Sequence, residues 1–223
     1  MSERFITFPV SLASVCLSAG IGVLGLKSQL SSLEPSYKYE EGSVSDIYPV
    51  RNEGVSRQGR DIFVREGCAT CHTQFIRGAS HYEIERGWAK RRGVARDFMF
   101  EVNATLGMTR LGPDLSNYGN PDWGKTPKAL PVPANRLEES RILEYLFNPR
   151  KFSKHTVMPA YRNMFTRVHP RDTITAAASV TDEKGNKFVP TPDALALVAY
   201  LKSLDRSTSL PETAVAGVSP TKK

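Results

Sequence analysis

The chain has 223 residues, of which 40% are hydrophobic and 24% charged, the composition of a folded globular protein with room for one ordinary domain and extra segments at both ends. Net charge is +7 and the isoelectric point about 9.4. That excess suits nucleic acid, anionic lipid or an acidic partner and does not choose between them. Three cysteines, Cys16, Cys68 and Cys71, exclude a disulfide-stapled secreted domain, which needs an even set at wider spacing.

The first element is an apolar run. From Phe5 to Leu26, FITFPVSLASVCLSAGIGVLGL carries no charge, with Arg4 before it and Lys27 after. As a helix it spans about 33 Å, enough for a hydrocarbon core of ~30 Å. A cleaved signal peptide has a shorter apolar region and a small-residue cleavage site, and no convincing site follows here. Val15 argues against a lipidated Cys16. A permanent anchor fits best. Gly20, Gly22, Gly25, Ser14 and Ser18 offer small faces for packing against other membrane helices. Cys16 reads as a small hydrophobe. The flanking charges are too balanced to orient the helix.

A polar stretch over 31–55 reads as a juxtamembrane linker. SRQGRDIFVREG then predicts a short helix capped by Ser56, with Gly59, Ile62 and Phe63 on one face and Gly67 at its end. GCATCH follows at once. A thioredoxin-type pair belongs between a strand and a helix of a parallel sheet, and structural zinc needs four ligands; neither context exists here. C-x-x-C-H is the attachment signature of c-type haem. The reading is one covalently bound haem c, with Cys68 and Cys71 as thioether ligands of the porphyrin and His72 as proximal iron ligand. Such attachment takes place on the outer side of the bacterial cytoplasmic membrane, so the globular part is expected in the periplasm and the amino terminus inside.

Residues 73–135 are rich in Gly, Pro, Asn and Asp and predict loops with short helices. RLEESRILEYLFNPR (136–150) predicts a helix with Leu137, Ile142, Leu143, Leu146 and Phe147 on its apolar stripe. Residues 167–190 read as two short strands around a Gly185–Asn186 turn. TPDALALVAYLKSL (191–204) predicts the last helix, with Pro192 in its first turn. The remainder reads as a flexible polar tail. For the sixth iron ligand the candidates are Met99, Met108, Met158, Met164, His81, His155 and His169. Met158 leads because it sits in a loop stiffened by Pro159, with His155 as the main rival. A thioether would raise the reduction potential relative to a second imidazole.

GRDIFVREGCATCHTQFIR, TRLGPDL, NPRKFSKHTVMPAY and ALALVAYLKSL occur in the order found in the mono-haem cytochrome c subunit (subunit II) of cbb-type haem–copper oxidases. The chain resembles that family over roughly residues 57–78, 109–119, 142–165 and 191–204, together with the single amino-terminal anchor. The resemblance selects Met158 as the sixth ligand. It implies that the Pro113 carbonyl receives a hydrogen bond from His72 Nδ1, and that the helix bearing Gly59 and Phe63 crosses the one bearing Tyr200. Arg77 and Arg110 become candidates for pairing with the haem propionates. Residues 78–108 depart from the family pattern, and about 120–136 and 167–190 look like insertions.

The expectation is thus a mainly α protein. A single transmembrane helix (1–30) and a linker (31–55) precede a periplasmic class I-like cytochrome c domain (56–206) with loop and β-hairpin insertions and a flexible tail (207–223). The implied role is a non-catalytic electron-transfer subunit. It would carry electrons from a donor cytochrome c to the catalytic haem–copper subunit of a terminal oxidase, alongside further membrane subunits in the lipid bilayer. Alternatives are the same role in nitric oxide reductase or another respiratory complex, a haem sensor with an open axial site, or a free anchored shuttle. Arg86, Lys90, Arg91, Arg92 and Arg96 form a basic run expected to face headgroups or an acidic partner subunit, or to be a silent solvated face; nucleic acid is not expected. Trp88 within it reads as a core residue, or as a subunit contact.

Overall fold

The computed structural model describes residues 3–37, 47–77, 81–126, 133–169 and 179–213, and is mainly helical. It forms two compact units: residues 1–49 with 95–99, and residues 50–94 with 100–223.

In the first unit, helix α1 runs from Glu3 to Ser31. Its segment Phe8–Ser31 has a mean hydropathy of 1.8 and no buried residue, so it is long and apolar enough to cross a membrane. Ser14 Oγ donates to Val10 O and Ser18 Oγ to Val15 O, at 2.9 and 3.0 Å. These hydroxyls therefore offer no unpaired donor to a hydrocarbon environment. Two short antiparallel strands follow, β1 (Ser36–Tyr37) and β2 (Ile47–Tyr48). Buried Tyr48 donates to Oδ1 of buried Asp97 at 2.5 Å, tying the strand to the 3-10 turn Ala95–Phe98.

The second unit is built on two helices, α2 (Gly54–Arg65) and α6 (Pro192–Ser203). Gly59, Ile62 and Phe63 are the buried face of α2, one turn apart as the 3.6-residue period requires. A Cβ on Gly59 would stand 1.9 Å from Ala196 O and 2.7 Å from Tyr200 Cβ, so the two backbones touch where the helices cross. Phe63 meets Tyr200 edge to face, with ring centroids 5.6 Å apart. Thr191 caps α6 by accepting from Ala194 N, and Pro192 occupies the first turn. The expected Ser56 cap does not form: α2 starts earlier, behind Glu53, and Ser56 Oγ instead donates to Asn52 Oδ1.

Between these helices lie the short α3 (Cys68–Cys71) and α4 (His81–Glu85), and then α5 (Glu139–Phe147). Ile142, Leu143, Leu146 and Phe147 of α5 are buried, as the stripe predicts, but the helix is shorter than the expected 136–150 and leaves Leu137 half-buried in the turn before it. The hairpin over 167–190 is present as β4 (Val180–Thr181) and β5 (Lys187–Pro190), turning at Gly185 with φ 81°. A third strand, β3 (Phe165–Arg167), pairs with the other edge of β5, so the order is β3-β5-β4, all antiparallel. This small sheet docks through Phe165 and Phe188 on Phe147, at 5.1 and 4.9 Å between ring centroids.

The basic run has internal work. Arg91 is buried and donates to Thr208 O, and Arg92 donates to Glu212 O. Lys90 pairs with Asp122, and Arg86 lies over the Tyr82 ring. Residues 207–213 are held against the unit by these contacts and by buried Leu210. The rest of the tail, 214–223, lies outside the described residues, as do 127–132 and 170–178 of the two inserted segments.

Candidate functional site

Helix α2 stops at Arg65, and Gly67 follows with a φ of 74°, in the left-handed region that glycine adopts without strain. Glu66 N and Gly67 N close the last turn on Ile62 O and Val64 O. The reversal starts α3 immediately, which places Cys68 and Cys71 on one short turn and delivers His72 in extended conformation beyond it.

The segment 106–115 then wraps this turn. Met108 N donates to Ala69 O, Gly112 N to Cys71 O, Leu115 N to Thr73 O and Thr109 Oγ1 to Thr70 O, at 2.6 to 3.0 Å. A Cβ on Gly112 would fall 2.3 Å from His72 Cε1 and 2.7 Å from Nδ1, so glycine is what lets the backbone press on the imidazole. The next carbonyl, Pro113 O, is 2.8 Å from His72 Nδ1. A carbonyl only accepts, so Nδ1 carries the hydrogen and Nε2 keeps its lone pair. Burial, opposed by this bond and by the Asp114 charge, lowers the His72 pKa and favours the neutral ring.

Asp114 locks the segment from below. Fully buried, it accepts from Thr73 Oγ1 at 2.6 Å, Phe75 N at 3.0 Å and Ser116 N at 2.8 Å. Arg110 donates to Thr73 Oγ1 at 2.8 Å and to Phe75 O, and pairs with Glu83. Arg77 reaches the same Glu83 oxygen from the exposed side, at 3.3 Å. The two arginines picked from the sequence thus converge, on a carboxylate that sequence reading passed over. Glu83 is fully buried within the divergent 78–108 stretch, and nothing in its local pattern marks it.

On another side of the motif, the loop before the 3-10 turn Arg162–Met164 approaches Cys68. The Cys68 thiol faces Tyr161 Oη at 3.9 Å, and Tyr161 N donates to Leu146 O. Burial pushes the Cys68 thiol up to about 11 and the Tyr161 phenol higher still. Met158 is half-buried and packs against the core cluster that contains Cys68. Among its rivals, Met164 is a core residue, His155 and His169 are exposed, and Met108 is exposed on the wrapping segment. Met99 belongs to the first unit, and the His81 side chain lies outside what is described.

The residues fit a haem c. Two thiols lie one helical turn apart, an imidazole next to them keeps an available Nε2, and a thioether stands on a neighbouring loop. Met108, Leu111 and Val157 are 80, 68 and 73% exposed on the flanking loops, apolar surface that a flat macrocycle would cover. Among the described residues, no cluster of three or more His, Cys, Asp or Glu forms an alternative metal site.

No curated protein matches the chain significantly. The family described as cytochrome c oxidase, mono-haem subunit/FixO, matches residues 38–193, most of the chain. That span takes in the Cys68–His72 turn, the segment wrapped around it, the Met158 loop and the start of α6, and it sets aside the nitric oxide reductase reading. The chain belongs to the mono-haem (FixO) subunit family of cytochrome c oxidases, and its work is electron transfer as one subunit of an oxidase complex.

Proposed function

We propose that this subunit carries one haem c attached through Cys68 and Cys71, with His72 and Met158 as axial ligands, in a class I-like cytochrome domain on the periplasmic side of the membrane. It takes electrons from a donor cytochrome and passes them to the catalytic haem–copper subunit. When bound, the haem supplies a one-electron ferric/ferrous couple; everything else is the work of this chain. The Pro113 carbonyl fixes the His72 tautomer and ring plane, a contact that also makes the imidazole a better ligand. Asp114 and Arg110 hold the 110–115 backbone so that this contact stays in register, and Arg77 with Arg110 would supply the cations to pair with the haem propionates. Helix α1 anchors the domain, with its amino terminus inside. The observation that carries the reading is the His72–Pro113 bond with Gly112 packed on the ring, an arrangement suited to presenting Nε2 to a metal.

The test is to solubilise membranes gently, purify through a carboxy-terminal tag, and measure haem that survives denaturation together with the copper-to-iron ratio. Covalent haem with copper and a second, non-covalent haem is expected. Absence of covalent haem sinks the attachment proposal, and iron without copper sinks the proposed acceptor.

A further inference from the structure

One feature of the second unit has no part in haem attachment. Trp88 and Trp123 stand in the walls of an open cleft of about 490 Å³, with Lys90, Asp122 and Lys125 also lining it. Trp123 is otherwise buried, 8% exposed, and its indole Nε1 donates to Asp114 O at 3.1 Å. Asp114 follows Pro113, whose carbonyl oxygen is 2.8 Å from His72 Nδ1. A path of covalent bonds and two hydrogen bonds therefore runs from the cleft to the imidazole: Trp123 ring, Asp114 carbonyl, the Pro113–Asp114 peptide, Pro113 carbonyl, His72. Tunnelling decays less steeply through bonds and short hydrogen bonds than across van der Waals gaps, so such a path couples two points of a protein more strongly than its surroundings do. The parts are also held rigidly. Asp114 is anchored by three hydrogen bonds of its side chain, and the Trp123 ring is fixed by Tyr118 edge to face at 5.3 Å and by Arg136, whose guanidinium is 5.1 Å from the ring centroid.

We propose that Trp123 is the positioning residue that couples this cleft electronically to the His72 side of the haem, a role that rests on the haem reading above. In the step itself, a one-electron donor at the cleft loses an electron and ferric iron becomes ferrous. Trp123 bridges the two and is not oxidised, and no proton moves.

The experiment is photo-induced electron injection in the full-length holoprotein in detergent, on a Cys16→Ser background. A ruthenium polypyridyl label is attached in one preparation at the cleft through Lys125→Cys. In another it is attached on the Met158 loop through Lys154→Cys. Each is measured with Trp123 and with Trp123→Phe, which keeps an aromatic ring and removes the Nε1–H donor. The expected result is that haem reduction after the flash slows several-fold from the cleft label and stays unchanged from the loop label, with the visible spectrum and midpoint potential of the haem preserved. Equal slowing from both labels, or none from the cleft, overturns the coupling role. A holoprotein without covalent haem, by contrast, overturns the reading on which the proposal rests, and the proposal with it.

Discussion

Glu83 shows how much a single side chain can organise. Its buried carboxylate takes Arg110 and Arg77 on one oxygen, and its other oxygen has no hydrogen-bond partner among the described residues. The Arg110 side chain is only 13% exposed, so it depends on that charge. Replacing one partner of a buried pair leaves the other charge uncompensated, which costs about 3–5 kcal/mol. Glu83→Gln is therefore expected to lower the free energy of unfolding by that margin, read as a lower guanidinium midpoint at unchanged m-value, and an unchanged midpoint would mean that Arg110 is held by Thr73, Phe75 and Asp114 alone. At the proposed distal position, Met158→His exchanges a thioether for an imidazole. The midpoint potential is expected to drop by a fraction of the roughly 0.8 V range that axial ligands span. Potentiometric titration reads it directly, and an unaltered potential would exclude Met158 as ligand.

At the scale of elements, the contact between α2 and α6 organises the second unit. With Gly59 against Ala196 and Tyr200, no side chain fits without moving a helix. Gly59→Leu is expected to cost at least the 1–3 kcal/mol typical of overpacking, read as a lower thermal midpoint. Tyr200 links this crossing to the site, since its hydroxyl donates to Gln74 Oε1 at 2.9 Å, two residues beyond His72. Burial pushes the Tyr200 phenol up to about 12. The folded pKa lies above the unfolded value of about 10, so the corresponding stability is complete below pH 10 and is lost as pH rises toward 12. Denaturant midpoints measured from pH 9 to 12 should fall in that window for the native chain and fall less for Tyr200→Phe. Parallel curves would place the alkaline sensitivity elsewhere. The helices α2 and α5 were legible in the sequence because their apolar residues recur with the helical period and those faces are buried, and α6 because Pro192 opens an unbroken apolar run from Ala194 to Leu201 that is long enough for about two turns. Strand β3 was not legible: three residues, Phe165–Arg167, are too short to show alternation, and they become a strand only because β5 offers them an edge.

For the molecule as a whole, charge was the least informative feature. The run from Arg86 to Arg96 suits headgroups, an acidic partner or a silent solvated face alike, and within it Arg91 and Arg92 hold the carboxy-terminal segment through the carbonyls of Thr208 and Glu212. Truncation after Arg206 removes those acceptors and buried Leu210, and should cost about 2–4 kcal/mol of stability, measured by chemical denaturation. A truncated protein as stable as the full chain would show that the segment merely lies against the unit. What the sequence determined by itself was local: an uncharged apolar run long enough for a bilayer, a C-x-x-C-H turn and the helical periodicities. Each is set by neighbours a few residues away, so pattern reveals it. What only the tertiary structure decided were the partners of Glu83, Asp114, Arg91 and Trp123. A buried charge or an indole N–H finds its partner through the folding of distant segments, and no local pattern records which segment arrives.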